Sequence, residues 1–161
     1  MSRKIVSVLC VLFALFGSSL LRAQSEDPFI GTWDIDLEES DFGSAMPPKN
    51  MSRSYTDLGN GSFAYQVATV AEDGTLGLTA AIYTFSGEEY PIVSFDELPA
   101  PARISYRRIN DQTVEYTVRL GDQVSQIGSK FISPNHQRLT ISIQFPGTEQ
   151  ESQVLVFNRR R

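Results

Sequence analysis

Apolar residues alternate with polar ones at a period of two over most of this chain, and turn residues interrupt the alternation at hairpin spacing. Successive side chains of an extended strand point to opposite faces, so such runs build half-buried strands rather than helices. Gly31, Trp33, Ile35 and Leu37 form one face of the first run, and Thr32, Asp34 and Asp36 the other. Phe63, Tyr65 and Val67 alternate with Ala64, Gln66 and Ala68, and Leu76, Leu78, Ala80 and Ile82 make a further apolar series. Val114, Tyr116, Val118 and Leu120 are set against Glu115, Thr117 and Arg119. Leu139, Ile141, Ile143 and Phe145 are set against Thr140, Ser142 and Gln144, while Val154-Leu155-Val156-Phe157 is apolar on both faces.

Gly59-Asn60-Gly61, Asp73-Gly74, Ser86-Gly87, Asn110-Asp111, Gly121-Asp122, Ser133-Pro134-Asn135 and Pro146-Gly147 supply the backbone angles that tight turns require. Strands are therefore predicted near 30–37, 51–57, 63–71, 76–85, 90–93, 103–110, 113–120, 123–132, 138–145 and 153–159. Many short antiparallel strands, each with one apolar face, close into a barrel or stack as a sandwich. Hairpin succession needs no long crossover, and a doubly apolar last strand suits one that is covered and pairs back onto the first. The predicted fold is all-β, a single antiparallel up-and-down β-barrel of roughly 8–10 strands, with a β-sandwich as the alternative.

The first residues stand outside this pattern. Ser2-Arg3-Lys4 is a short basic start, Ile5 to Phe16 is apolar but for Ser7, and Arg22-Ala23-Gln24 ends the run. That is the layout of a secretory leader, and Ile5 to Leu21 falls short of the ~20 residues a spanning helix needs. Cleavage is expected after Ala23, with Ser19 as the second choice, leaving a barrel domain over 24–161. The expected location is secreted or periplasmic, with no membrane span once the leader is gone. Cys10, the one cysteine, lies inside the apolar run and not at its end, which argues against lipid attachment. The mature chain then has no disulfide and no cysteine-based zinc site. Removing the leader takes Arg3, Lys4 and Arg22 but no acid, so the formal charge moves from −5 to −8. An acidic chain has no electrostatic drive toward nucleic acid or anionic lipid. A domain of about this length buries roughly two-thirds of its unfolded surface, enough to stand as a monomer on its core alone.

Phe29-Ile30-Gly31-Thr32-Trp33-Asp34-Ile35 resembles the opening strand of the lipocalin and fatty-acid-binding-protein superfamily (the calycins), whose mark is Gly-x-Trp. The resemblance implies that Trp33 plugs the closed end of a barrel and that a basic residue of the last strand covers it. Arg159, in Val156-Phe157-Asn158-Arg159, is the candidate. The order Gly-Thr-Trp, Pro-Lys, Tyr-Thr, Asp-Gly, Tyr-Pro, Arg-Ile-Asn and Val-Phe-Asn-Arg is similar to that of small exported bacterial lipocalin-like proteins. It implies small-molecule binding in the barrel. The Arg-x-Tyr carboxylate clamp of fatty-acid-binding proteins has no counterpart in the last strand, so fatty-acid carriage does not transfer.

Among residues that carry chemistry, Tyr65, Tyr106 and Tyr116 each lie on the more apolar face of a strand. A phenol inside a barrel combines ring contact with a hydrogen-bonding tip, which suits a ligand pocket as well as it suits ordinary core filling. Arg53 shares a face with Met51 and Tyr55, and Arg107 with Ile109. Turned inward, either would bind an acidic ligand, but an exposed edge is the plainer placement for both. Asp34, Asp36, Glu38, Glu39 and Asp41 form an acidic cluster whose parity puts Asp34 and Asp36 on the solvated face. No calcium-loop spacing accompanies it, and His136, the one histidine, falls in a turn. No catalytic set, metal site or cofactor is expected. The predicted function is an exported barrel that binds a small, partly hydrophobic ligand in its interior. The alternative is an interaction or inhibitor-like barrel that works through its open-end loops.

Overall fold

A computed structural model describes residues 27–95 and 98–161; the leader predicted over 1–23 lies outside the described residues. The strands are β1 (Gly31–Asp41), β2 (Asn50–Gly59), β3 (Ser62–Val70), β4 (Leu76–Tyr83), β5 (Ser86–Pro91) and β6 (Val93–Ser94). They continue with β7 (Ala102–Asn110), β8 (Thr113–Leu120), β9 (Gln123–Ile132), β10 (Arg138–Gln144) and β11 (Gln153–Arg159). Each predicted strand is present, and the run predicted over 90–93 divides at Ile92 into the end of β5 and the short β6. The turns use the residues that turn chemistry demands: Asn60 and Gly61 both have positive φ, as do Gly74, Gly87, Gly121 and Gly147.

All the strands belong to one antiparallel sheet in the order β5-β7-β8-β9-β10-β11-β1-β2-β3-β4-β6. β11 pairs back onto β1, with Trp33 opposite Arg159 and Ile35 opposite Phe157, so the sheet closes into a barrel and not a sandwich. A bulge between Asp36 and Asp41 interrupts this pairing. The Ser40 hydroxyl fills it, donating to Asp36 O at 2.6 Å and accepting from Val156 N at 2.9 Å. The ladder is open at one seam. β4 and β5 follow one another in sequence, yet β4 pairs with β6 and β5 with β7, which departs from a simple hairpin there. Aromatic rings span the gap: Tyr83 lies 4.1 Å from Tyr106, and Phe85 stands 5.5 Å from Tyr83.

One end is plugged. Trp33 is fully buried, and its indole N–H donates to Phe29 O at 3.0 Å. The Arg159 guanidinium lies 4.1 Å over the Trp33 ring and donates to the carbonyls of His136, Ile30 and Pro28. Gly31 has φ +124°, and a Cβ there would come 2.7 Å from the Arg159 guanidinium. The glycine of Gly-x-Trp therefore makes room for the cation that covers the tryptophan. Asp27 pairs with Arg108, whose guanidinium stacks on Phe85 and Phe29, so the turn before β1 closes the same end. The opposite end is ringed by the longer connections 42–49 and 145–152 and by the residues 98–101 that lead into β7.

The predicted face is reversed on β4. Leu76 and Ile82 are exposed, and Gly77, Thr79, Ala81 and Tyr83 point inward, opposite Thr69, Val67, Tyr65 and Phe63 of β3. Ala81, beside Tyr65 on the ladder, leaves that ring room inside the barrel. Leu37 is also 40 % exposed, because β1 runs past the core into the open end.

Candidate functional site

Five of the six tyrosines are buried: Tyr55, Tyr65, Tyr83, Tyr106 and Tyr116. Register places them. Tyr55 faces Tyr65 across β2 and β3, and Tyr106 faces Tyr116 across β7 and β8, so four phenols converge on the same level of the barrel. The Tyr65 and Tyr106 rings meet edge to face at 6.2 Å, and Tyr106 and Tyr116 lie 6.0 Å apart. Gly128 of β9 makes the arrangement possible, since a Cβ there would stand 2.5 Å from the Tyr116 hydroxyl.

Lys130 occupies the middle of this cage. Its side chain is enclosed, with 2 % of the residue exposed, and its Nζ donates to the Tyr106 hydroxyl at 2.7 Å. The same nitrogen lies 4.3 Å from the Tyr106 ring centre, 4.6 Å from Tyr55, 5.4 Å from Tyr116 and 5.5 Å from Tyr65. The negative faces of four rings stabilise a cation only in part, and among the described residues no carboxylate completes the cage. Burial, and then the charge of Arg53, hold the Lys130 amine well below the ordinary lysine value of 10.5.

Arg53 is the second inward cation. The residue is half-buried and lines the cavity, with its guanidinium stacked 5.4 Å over the Phe157 ring. Its Nε and the Tyr55 hydroxyl have no hydrogen-bond partner within the protein. Guanidinium keeps its proton at any pH a protein survives, so Arg53 is a permanent interior charge. The exposed-edge placement expected from the sequence is wrong for Arg53: the β2 register that turns Tyr55 inward turns Arg53 inward with it. For Arg107 it holds, since that side chain is on the outer face and pairs with Glu115. Desolvation keeps the phenols neutral: Tyr116 is pushed up to about 12, and Tyr55, Tyr65, Tyr83 and Tyr106 are raised as well.

These groups line a cavity of about 280 Å³. Arg53, Lys130, Tyr65, Tyr106 and Tyr116 form its polar floor, and Val67, Ile92, Leu98, Ile104, Val118 and Leu120 its apolar wall toward the open end. Among the described residues no Asp or Glu lines it. A larger depression, about 520 Å³, lies outside on β2, β3 and β4 between Ser54, Ala64, Ala80, Ile82 and Val93. Apart from Tyr65, reached there from behind, that surface carries no ionisable group, so the chemistry lies inside.

The structure thus brings Tyr65, Tyr106, Tyr116 and Arg53 into one cavity and puts Trp33 and Arg159 together at the closed end. Lys130 was missed by the sequence reading. Ile127 and Phe131 suggest the opposite face of β9, yet both are exposed and Lys130 points in. Gly128, two residues earlier on the same face, was the available signal. The acidic cluster is outward and engaged: Asp34 with Arg160, Asp36 with Asn158, Glu39 with Arg138. His136 has φ +56° in its turn and contributes its carbonyl to Arg159. No group of metal-ligating side chains occurs among the described residues.

No family model and no curated protein matches this chain. Solved structures do match in fold. A Schistosoma mansoni fatty acid binding protein in complex with arachidonic acid aligns with TM-score 0.61 over 85 % of this chain and 99 % of that one, at 10 % identity. As-p18, an extracellular fatty acid binding protein, aligns with TM-score 0.56 over 83 % and 97 % of the two chains, at 11 % identity. The amine binding protein of Rhodnius prolixus, in a tryptamine complex, gives TM-score 0.50 over 84 % of this chain and 65 % of that chain, at 11 % identity. These neighbours, named for fatty acid binding and amine binding, establish the fold.

Proposed function

We propose that this chain is an exported barrel that binds a small molecule with an apolar body and an anionic head, non-catalytically, in the interior cavity. One observation carries the reading: Arg53 is a permanent charge lining the cavity, with an unpartnered Nε and, among the described residues, no carboxylate in the lining. A buried cation without a counter-ion costs several kcal/mol, so an anion that reached it would recover part of that cost through charge-assisted hydrogen bonds. The aliphatic wall above supplies the apolar share of the affinity. At about 280 Å³ the cavity is just under the usual ~300 Å³ lower limit of ligand sites, so the ligand is small. The neighbours named for fatty acids and for an amine support interior binding as the use of this fold. The leader-like start of the sequence supports export.

The test is calorimetric titration with 3-phenylpropanoate and its neutral amide. The acid should bind at least about tenfold more tightly, as one charge-assisted bond of ~1.5–3 kcal/mol implies. Arg53→Gln should erase that preference. Equal affinity for acid and amide in the wild type refutes an anionic head. A second reading, partner docking through the open end, is favoured by the exposed Met46, Leu76 and Phe95 around the mouth. Substituting all three by Ser leaves acid binding intact if the cavity is the site.

A further inference from the structure

We propose that Lys130 captures an apolar aldehyde as a covalent imine inside the barrel, with the Tyr106 hydroxyl relaying the protons. The inference rests on the interior cavity being the binding site, but it gives Lys130 a role that anion binding at Arg53 does not use. The geometry is that of an activated amine. Lys130 Nζ lines the cavity, is shielded from bulk water, and has a phenol oxygen at 2.7 Å. An amine becomes a competent nucleophile when desolvated in an apolar site or placed beside another cation, and Lys130 has both conditions, with Arg53 as the neighbour. Burial and that neighbour favour the free amine over the ammonium. Tyr55, Tyr65 and Tyr116 of β2, β3 and β8 are the other ionisable groups around it; β9 and β10 add Gly128 and Ile141. All of those phenols are held neutral, so none restores the ammonium by supplying a negative charge.

The Nζ lone pair attacks the carbonyl carbon, and the carbonyl π pair moves to oxygen, which takes the Tyr106 proton. The nitrogen, now carrying an extra proton, returns it to the Tyr106 phenolate and leaves a neutral carbinolamine. That carbinolamine loses its hydroxyl as water, again with a proton from Tyr106, and Nζ gives its last proton back to Tyr106. The sum is amine plus aldehyde to imine plus one water, with no net charge created. The neutral imine replaces a neutral amine, so capture adds no second buried charge beside Arg53. The chain also uses lysine sparingly: Lys4, Lys49 and Lys130 are its three lysines against eleven arginines.

The experiment incubates the folded protein with 3-phenylpropanal and cyanoborohydride at pH 7, then maps adducts by peptide mass spectrometry. Lys49, exposed on the surface, is the reference lysine. Labelling at Lys130 should outrun Lys49 at least about tenfold. Tyr106→Phe should slow it by a similar factor, and Lys130→Met and Lys130→Arg, each checked for a native circular dichroism spectrum, should abolish the interior adduct. Labelling confined to Lys49 or the terminal amine, or none at all, overturns the proposal on the wild type alone. If 3-phenylpropanoate binds while the aldehyde leaves no adduct at Lys130, the imine fails and the cavity stands. If the aldehyde is captured at Lys130 while the acid does not bind, the imine stands and the anionic-head reading fails.

Discussion

At Lys130 a sequence position that looks like surface is buried, and the consequence is measurable as a pH dependence. Its folded-state pKa lies below the unfolded value of 10.5. Between those two values the unfolded chain holds a proton that the folded chain has released. Unfolding therefore takes up a proton, and stability rises with pH through that window until 10.5 is passed. Lys130→Met removes this slope and keeps the interior volume nearly constant. The difference in unfolding free energy, wild type minus Lys130→Met, should climb toward pH 10 by up to about 1.4 kcal/mol per pH unit. At pH 9 and below ordinary tyrosine is still neutral, so the slope there belongs to Lys130. A flat difference from pH 6 to 10 would mean that Lys130 is charged in the fold. Trp33 gives the complementary case at the closed end. It is fully buried, bonded to Phe29 O and covered by Arg159. Trp33→Ala should cost ~3–5 kcal/mol in urea unfolding, as large aromatic truncations in packed cores do. An unchanged midpoint refutes the plug.

Strands β9 and β4 show what an element adds to its residues. On β9 the inward series Gly128, Lys130, Ile132 is set by pairing: Gly128 opposes Tyr116 and Ile143, and Lys130 opposes Val114 and Ile141. The glycine is the structural condition for the phenol cage. A Cβ at 128 would meet the Tyr116 hydroxyl at 2.5 Å and collide with the Ser142 carbonyl. Gly128→Ala should therefore cost ~1–3 kcal/mol by overpacking. It should also disturb the Tyr116 ring resonances in NMR spectra, whereas Gly87→Ala leaves them unchanged. Hydrophobic patterning read β1, β3, β8 and β10 on the right face because their apolar series coincides with the inward parity. On β4 the apolar series is the outward one. Nothing local to Leu76, Leu78, Ala80 and Ile82 says so. The requirement comes from Tyr65 and Phe63 across the ladder, which leave room for Ala81 and for Tyr83 at the seam.

For the whole molecule, the expectations concern maturation and where a ligand acts. The basic start, apolar run and Ala23 lead to an exported chain beginning near Gln24, which intact mass of the extracellular fraction would show; a retained Met1 there refutes export by this route. With 3-phenylpropanoate as probe, Tyr116→Ala should weaken binding and Tyr116→Phe should report on the hydroxyl alone, worth about 0.5–1.5 kcal/mol. Asp34→Asn with Asp36→Asn should leave binding unchanged, because both carboxylates lie on the outer face and pair with Arg160 and Asn158. Loss of binding in the Asp pair with retention in alanine variants of Tyr65, Tyr106 and Tyr116 would move the site to the rim.

The Gly31–Trp33–Arg159 plug was what the resemblance implied; by itself the sequence determined the strands, the turns between them, and closure of the last strand onto the first. Those features follow from local backbone chemistry and from apolar contrast along one strand, which neighbouring residues report directly. Only the tertiary structure decided which face of β4 and β9 points inward, that Arg53 and Lys130 lie inside, and that β4 and β5 part at a seam. The reason is volume and register. A barrel interior is a closed space that five buried tyrosines largely fill. The remaining inward positions go to whichever residues the ladder brings opposite them, small or charged, and not to those most apolar in their own strand.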